Sequence, residues 1–254
     1  MKVRLWVIHG SHPGISAQLM LERKGIDYRL VIVPPGFSRR LIKLFGFEGD
    51  RTPAMKIDGR KVQGSTQISR ELERIQPDPP LFPADPERRK RVEEAEAWGD
   101  GDPQSIPRTI IWWAFKKDRS GMVSFLEGAP AGARFGLPAK LAVKTAGPMV
   151  ALGAKLNDSN DDHVRAELAA LPGVLDQIDR WVEDGVLNGE ELTAADYQLA
   201  PSVRLLMAFD DLKPLIEGRP AAAFAERVLP EPLGKISPIF PEQWIASLRA
   251  PAAA

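Results

Sequence analysis

The chain has 254 residues, 44% of them hydrophobic, enough to build one large globular domain or two ordinary ones. Its 34 Lys and Arg are balanced by 34 Asp and Glu, so composition gives no basic excess of the kind nucleic-acid binders carry. It contains no cysteine, which excludes disulfides, thiolate metal sites and a cysteine nucleophile.

The first 78 residues alternate between strand and helix patterns. Val3 to Ile8 is a β-branched and aromatic run that predicts a buried strand. The apolar part of this run is broken by His9 and Gly10, too early for a signal-peptide core, and nowhere else do apolar residues approach the 18 needed to span a membrane, so a cytoplasmic location is expected. Residues 14 to 24 suit a helix with Ala17, Met20 and Leu21 on one face and Gly25 as its stop. Tyr28 to Val33 predicts a second strand ended by Pro34 and Pro35, followed by a short helix over Ser38 to Phe45. Ala54 to Ile57 and Arg60 to Val62 flank Asp58-Gly59, a two-residue hairpin signal. Ser65 to Ile75 then places Ile68, Leu72 and Ile75 on one helical face. The order βαβα followed by ββα predicts a small mixed sheet covered by helices.

Gln76 to Pro86 carries five prolines and reads as a linker. Beyond it only helical patterns appear, giving expected domains at 1–78 and 87–254 around a linker at 79–86. Glu87 to Trp98 predicts a helix interrupted at Gly99, Gly101 and Pro103; a helical face resumes through Ile106, Ile110 and Trp113. Its Arg88-Arg89-Lys90-Arg91 run is followed by Glu93, Glu94 and Glu96 and reads as a solvated face, not a nucleic-acid patch. From Gly121 to Gly153 the composition of Gly, Ala and Pro predicts irregular or loosely helical structure. Val164, Leu168, Leu171, Leu175, Ile178 and Val182 predict a long amphipathic helix, with Pro172 inside it requiring a kink or two abutting helices. The last 25 residues are proline-rich, from Pro230 to Pro251, and are expected to wrap the surface. Only His9, His12 and His163 are available as imidazole ligands, with no i, i+4 pair, so no metal site is expected.

Three local features stand above this background. Thr52-Pro53 precedes a strand; the proline either closes an ordinary loop or, with a cis bond, leaves the Thr52 backbone free to pair with an extended ligand. Gly64-Ser65-Thr66 opens a helix whose free amides and dipole serve a simple cap or attract a carboxylate. Thr193-Ala194-Ala195-Asp196 is a capping-box variant that nucleates a buried helix.

Together these features resemble the glutathione S-transferase superfamily. The continuous run from Thr52-Pro53-Ala54 through Asp58-Gly59 to Gly64-Ser65 matches its strand entry, hairpin and helix start. Leu192-Thr193-Ala194-Ala195-Asp196 matches the helix start of its helical domain, and Pro80-Leu81-Phe82-Pro83-Ala84-Asp85-Pro86 is similar to its linker. The resemblance implies α/β plus all-α architecture, with a thioredoxin-like N-terminal domain followed by an all-helical C-terminal domain. It implies glutathione or another small thiol as co-substrate, no metal, a small hydrophobic electrophile, a detoxifying transfer reaction and a homodimer. By the same resemblance the Thr52 backbone pairs with the cysteinyl part of glutathione beside Pro53, and Ser65 with its helix start through Thr66 holds the γ-glutamyl carboxylate. The family's acidic or amide residue before that serine is Gly64 here, which leaves Gln63 as the nearest substitute.

The reaction needs a donor beside the thiol, because the thiolate attacks and a free thiol has a pKa near ~8.5. A hydrogen bond to a charged group contributes roughly 1.5–3 kcal/mol, or about one to two pKa units. Counting back from Leu21-Glu22-Arg23-Lys24-Gly25, which matches the end of the family's first helix, places Ser11 and Gly14 where family members carry Ser or Cys. Ser11 is the first candidate, Ser16 the second, and His12 is either an orienting base or an uninvolved loop residue. Trp98, Trp112, Trp113 and Phe115 are candidates for the electrophile pocket or for core packing. A non-catalytic binding module and a glutathione-dependent isomerase, lyase or peroxidase are the alternatives on the same fold.

Overall fold

Four short strands carry the N-terminal sheet: β1 Val3–Val7, β2 Arg29–Ile32, β3 Ala54–Ile57 and β4 Arg60–Gln63, in the order β2-β1-β3-β4. Between them run α1 His12–Arg23 and α2 Ser38–Leu44, and α3 Ser65–Ile75 closes the unit. The computed structural model describes residues 1–249, apart from the side chains of Asp102, Ser247 and Arg249. β1 pairs in parallel with β2 through the α1 crossover and antiparallel with β3, which forms a hairpin with β4 over Asp58-Gly59. Alternation along β1 sends Val3, Leu5 and Val7 to the main core and Trp6 to the opposite face, where it packs with Val33, Ile42 and Phe47 under α2.

The helical part is larger. α4 Pro86–Asp100 and α5 Asp102–Lys117 meet at Gly101, and three short helices follow: α6 Met122–Leu126, α7 Ala139–Thr145 and α8 Gly147–Leu156. Then come α9 Asp161–Glu183, α10 Ala194–Leu206, α11 Lys213–Ile216, α12 Pro220–Val228 and α13 Glu242–Arg249. Gly99 does not break α4; it brings that helix onto α10, where an added Cβ would lie 2.8 Å from Leu199 Cδ2. α9 runs as a single helix through Pro172, so of the two expected alternatives, a kink or two abutting helices, the second does not occur. The segment after Pro230 does more than wrap the surface. Ile236 and Phe240 enter the core, the Ile239 and Phe240 amides donate to Asp211 Oδ2, and Ile245 of α13 is buried. Pro251 lies outside the described residues.

Every residue of α10 is buried, so its N-terminal amides cannot turn to water. Ala194 N–H instead donates to the Leu81 carbonyl at 2.8 Å and the Asp196 amide to the Thr193 side chain. The Asp196 carboxylate accepts from the Thr193 amide at 2.7 Å, the Thr193 hydroxyl at 2.8 Å and the Asn188 amide at 2.6 Å. Burial pushes this carboxyl's pKa up, and those three donors oppose the shift.

Two further groups tie the layers together. The Lys24 side chain is fully buried, and its Nζ donates to Glu73 Oε2 at 2.6 Å and to the carbonyls of Pro79 at 2.7 Å and Pro77 at 3.3 Å. Prolines supply no amide, so Pro77 and Pro79 are held through their carbonyls by this ammonium, while the Leu81 amide donates to the same Glu73 Oε2 at 2.9 Å. His12 opens α1, and its Nε2 meets the Gln104 carbonyl of α5 at 3.1 Å. Burial chiefly, and the nearby Arg108 cation next, push the imidazole down to about 3, against the opposing effect of that hydrogen bond. The ring is therefore neutral, with Nε2–H donating to the carbonyl.

Removing the buried cation while leaving Glu73 should cost about 3 kcal/mol or more, so Lys24→Met is expected to shift the urea midpoint strongly at constant slope; an unchanged midpoint would contradict the anchor. His12 has a second signature. In the unfolded chain it protonates near 6.5, but in the folded chain only near 3. The stability it contributes is complete above pH 6.5 and is lost as pH falls towards 3. Between pH 7.5 and 5.0 the wild type should lose about 2 kcal/mol more than His12→Gln; parallel losses would show that His12 charges freely in the fold.

Candidate functional site

The register of the sheet decides where the site forms. Trp6 of β1 lies opposite Ala54 of β3, and Ala54 lies opposite Gln63 of β4. The carboxyl end of β1, the entry to β3 and the exit from β4 therefore fall at one edge, together with the N-termini of α1 and α3. It is also where strand order reverses about β1, with β2 on one side and β3 on the other, the position at which open sheets take ligands. A cavity of about 1010 Å³ opens there, between this edge and the wall made by α5, α6 and α8.

Ser11, His12, Thr52, Pro53, Gln63, Gly64 and Ser65 all line that cavity. Ser11 is the N-cap of α1, but its side chain makes no capping hydrogen bond. Its hydroxyl makes no hydrogen bond among the described residues, while its backbone is fixed by Ser11 N–H to the Ile8 carbonyl at 3.1 Å. It is a free donor at a helix N-terminus, where an anion is favoured. The Thr52-Pro53 bond is cis. The Pro53 carbonyl accepts from Gly64 N–H at 2.9 Å, whereas the Thr52 amide and carbonyl make no hydrogen bond among the described residues. Ser65 is buried at the start of α3, with its hydroxyl 3.4 Å from Asp100 Oδ1.

Other candidates are placed elsewhere. Ser16 is fully buried, its hydroxyl donates to the His12 carbonyl at 3.0 Å, and it does not line the cavity. The Thr66 hydroxyl donates to Gln67 Oε1 at 3.0 Å, away from the cavity wall. The Gln63 carboxamide is occupied by the preceding loop, donating to the Arg51 carbonyl at 2.7 Å and accepting from Gly49 N–H at 3.0 Å. Gly14 faces the sheet, and a Cβ there would lie 3.0 Å from Val7 Cβ, so a side chain at this position would press on β1. Of the aromatic candidates, Trp112 and Phe115 line the cavity. Trp113 belongs to the core, stacked on Phe240 and donating to Asp161 Oδ1 at 2.7 Å, and Trp98 packs edge-on against Trp181.

Two lining residues carry no motif signal. Gly64 has φ of +94°, a conformation that favours glycine, and the space a side chain would take there is filled by the Gln67 carboxamide. Gln67 thus brings a carboxamide to the α3 N-terminus, three residues past the position where a motif search looks. His9 lies at the end of β1, its Nε2 3.2 Å from the Phe125 carbonyl, with burial lowering its pKa. It joins the sheet edge to the far wall. No group of three or more His, Asp or Glu able to hold a metal occurs among the described residues, and no helix among them is long and apolar enough to cross a membrane.

Residues 5–80 match the family described as the glutathione S-transferase N-terminal domain. Among curated proteins none matches the chain. Among solved structures, a glutathione S-transferase from Rhodospirillum rubrum superposes with a TM-score of 0.62 at 21% identity, covering 98% of this chain and 100% of its own. The beta-etherase of Sphingobium sp. strain SYK-6 gives 0.65 at 18% identity over 92% and 97%. Maleylacetoacetate isomerase from Anaeromyxobacter dehalogenans, solved with dicarboxyethyl glutathione and citrate in its active site, gives 0.53 at 20% identity over 89% of each chain. The chain has a glutathione S-transferase N-terminal domain and, from its thioredoxin-like sheet through its helical part, the glutathione S-transferase fold.

Proposed function

We propose that this protein is a glutathione-dependent transferase that joins the glutathione thiol to small hydrophobic electrophiles. One observation carries the reading: a serine hydroxyl without a partner stands at the N-terminus of α1, on the same cavity as the free Thr52 backbone and the α3 N-terminus. Glutathione is an extended tripeptide with a carboxylate at each end and a thiol in the middle. In this reading its cysteinyl backbone pairs with the amide and carbonyl of Thr52. Its γ-glutamyl carboxylate sits on the α3 N-terminus at Ser65, with Gln67 supplying the carboxamide that Gly64 lacks.

The thiol then lies at Ser11. The Ser11 hydroxyl donates to the sulfur, and the positive end of the α1 dipole favours the thiolate further. A charge-assisted hydrogen bond of about 1.5–3 kcal/mol lowers the thiol pKa by about one to two units. His12 takes no proton in this scheme, because its ring is buried, neutral and engaged with Gln104. The thiolate displaces the leaving group of an electrophile seated against Trp112 and Phe115. Ether cleavage and isomerisation by glutathione enzymes start from the same thiolate, so the electrophile wall distinguishes those reactions and the thiol site does not. The same reading takes residues 1–78 as the thiol domain, 79–86 as linker and 87–254 as the electrophile domain, in a cytoplasmic homodimer.

Calorimetry with glutathione should give micromolar to millimolar binding; no heat at millimolar concentrations would sink the reading. With 1-chloro-2,4-dinitrobenzene, Ser11→Ala should lower kcat/KM by about 10- to 100-fold at neutral pH and leave glutathione binding nearly unchanged. An unaltered rate would remove Ser11 from catalysis and assign the thiol's donor to another group on the cavity, whereas no turnover by the wild type would favour a binding module. Gln67→Ala should instead raise the KM for glutathione by about 3- to 10-fold with kcat little changed, and the converse pattern would assign Gln67 to the chemical step.

A further inference from the structure

The helical wall of the cavity carries a charge that the thiol half of the site does not use. Gln104, Arg108, Trp112 and Phe115 follow one another along α5 at helical spacing, and all four line the cavity. The Arg108 guanidinium is partly buried. Among the described residues its one hydrogen bond goes from Nη2 to Gln104 Oε1, and it makes no salt bridge. The neighbouring carboxylate, Asp100, is already engaged: its Oδ1 accepts from Gln104 Nε2 at 3.2 Å and lies 3.4 Å from the Ser65 hydroxyl. Arg51 lines the same cavity, is exposed and makes no salt bridge among the described residues.

Burial chiefly, and then the Arg51 cation, disfavour charge on Arg108, and Asp100 favours it. A guanidinium nonetheless stays protonated in proteins, so the cavity holds a desolvated cation that lacks a directly bonded anion. Such an arrangement is costly unless a ligand supplies the anion. The next turns of the stripe are apolar: Trp112 and Phe115, faced by Met122 and Phe125. Charge and apolar surface thus follow one another over two turns of helix, about 10 Å.

We propose that Arg108 makes this cavity selective for aromatic electrophiles that bear a carboxylate, with the carboxylate on the guanidinium and the ring against Trp112 and Phe115. The transfer step rests on the thiol reading above; binding of the anion does not. For a chloronitrobenzoate, the thiolate electron pair forms the carbon–sulfur bond, and the carbon–chlorine bond breaks with its pair leaving as chloride. The carboxylate is unchanged, and no oxidant or reductant is needed.

The test compares 4-chloro-3-nitrobenzoate with 4-chloro-3-nitrobenzamide, which differ by the anion alone. Calorimetry on the protein without thiol should show the benzoate bound about 10-fold or more tightly than the benzamide, since charge-assisted pairs to Arg are worth that much. Arg108→Gln should bring the two affinities to within about two-fold, by weakening the benzoate alone. Arg108→Lys, which keeps the charge, should retain part of the preference and guards against a glutamine variant that does not fold. Equal binding of the two compounds by the wild type would overturn the proposal, and so would a preference that survives in Arg108→Gln. A raised glutathione KM in Arg108→Gln with the benzoate preference intact would also overturn it, assigning Arg108 to a glutathione carboxylate. Benzoate preference without turnover of either halide would uphold the anion site and sink the transfer reading, so the two fail separately.

Discussion

The alignment of Trp6, Ala54 and Gln63 across three strands is the constraint from which the cavity follows. Side chains alternate along a strand, so a slip of one residue in β3 would turn Met55 and Ile57 out of the main core and Lys56 into it. The hydrophobic pattern therefore fixes the register. Register in turn brings two helix N-termini and one unpaired stretch of backbone to the same edge. The site is assembled from chain direction and strand alternation before any side chain contributes chemistry. What the sheet edge contributes to the cavity is accordingly a hydroxyl, backbone amides and helix dipoles, while the guanidinium of Arg108 comes from α5.

A cavity between two layers is useful only if the layers are held in one geometry. Here the ties are buried polar groups satisfied on both sides. Glu96 of α4 accepts from Ser69 at 2.5 Å and from Arg70 at 2.6 Å, both on α3. Lys24 secures the proline-rich connection, and His12 bonds α1 to the Gln104 carbonyl one turn before Arg108 on α5. Around α10, which packs against α1, α4 and α5, Asp196 removes the need for solvent at the helix start. Each of these groups is costly to bury alone and inexpensive when paired. They therefore select one docking of the helical part over nearby alternatives that apolar contact would tolerate.

Much of this was legible in the chain because local signals and the global fold agree. Asp58-Gly59 between two strand runs gives the β3–β4 hairpin with its residues in place, with Asp58 at φ of +44° and Gly59 at +96°. Ile68 and Leu72 bury the face their spacing implies, and Thr193-Asp196 caps the helix it announces. The region from Gly121 to Gly153 was not legible. Its helices are short, and in α8 a small residue is required by close approach: a Cβ on Gly153 would lie 2.5 Å from the Trp112 ring. Small residues chosen for close approach give little periodic hydrophobicity, although here they form the far wall of the cavity. At Pro172 the sequence leaves a kinked helix and two abutting helices open, and burial of Leu168, Leu171 and Leu175 along one face accompanies α9 as one helix across it.

Within the site, sequence failed where a residue serves through space and not through its place in a motif. Ser16 stands as a second candidate behind Ser11 in a linear reading, yet five residues along α1 turn it from the cavity into the core, where its hydroxyl returns to its own helix. Gly64 looks like a lost contact, yet its positive φ is a backbone requirement, and the Gln67 carboxamide occupies the space that the glycine leaves. Gln63 looks like the natural replacement, yet both ends of its amide are committed to the Gly49 to Arg51 loop. That commitment has its own consequence. By fixing this loop, Gln63 fixes the chain that enters the cis bond at Pro53, and with it the direction in which the free amide and carbonyl of Thr52 face a ligand. A residue that misses the ligand still shapes the site, because a backbone donor is only as well aimed as the loop that carries it.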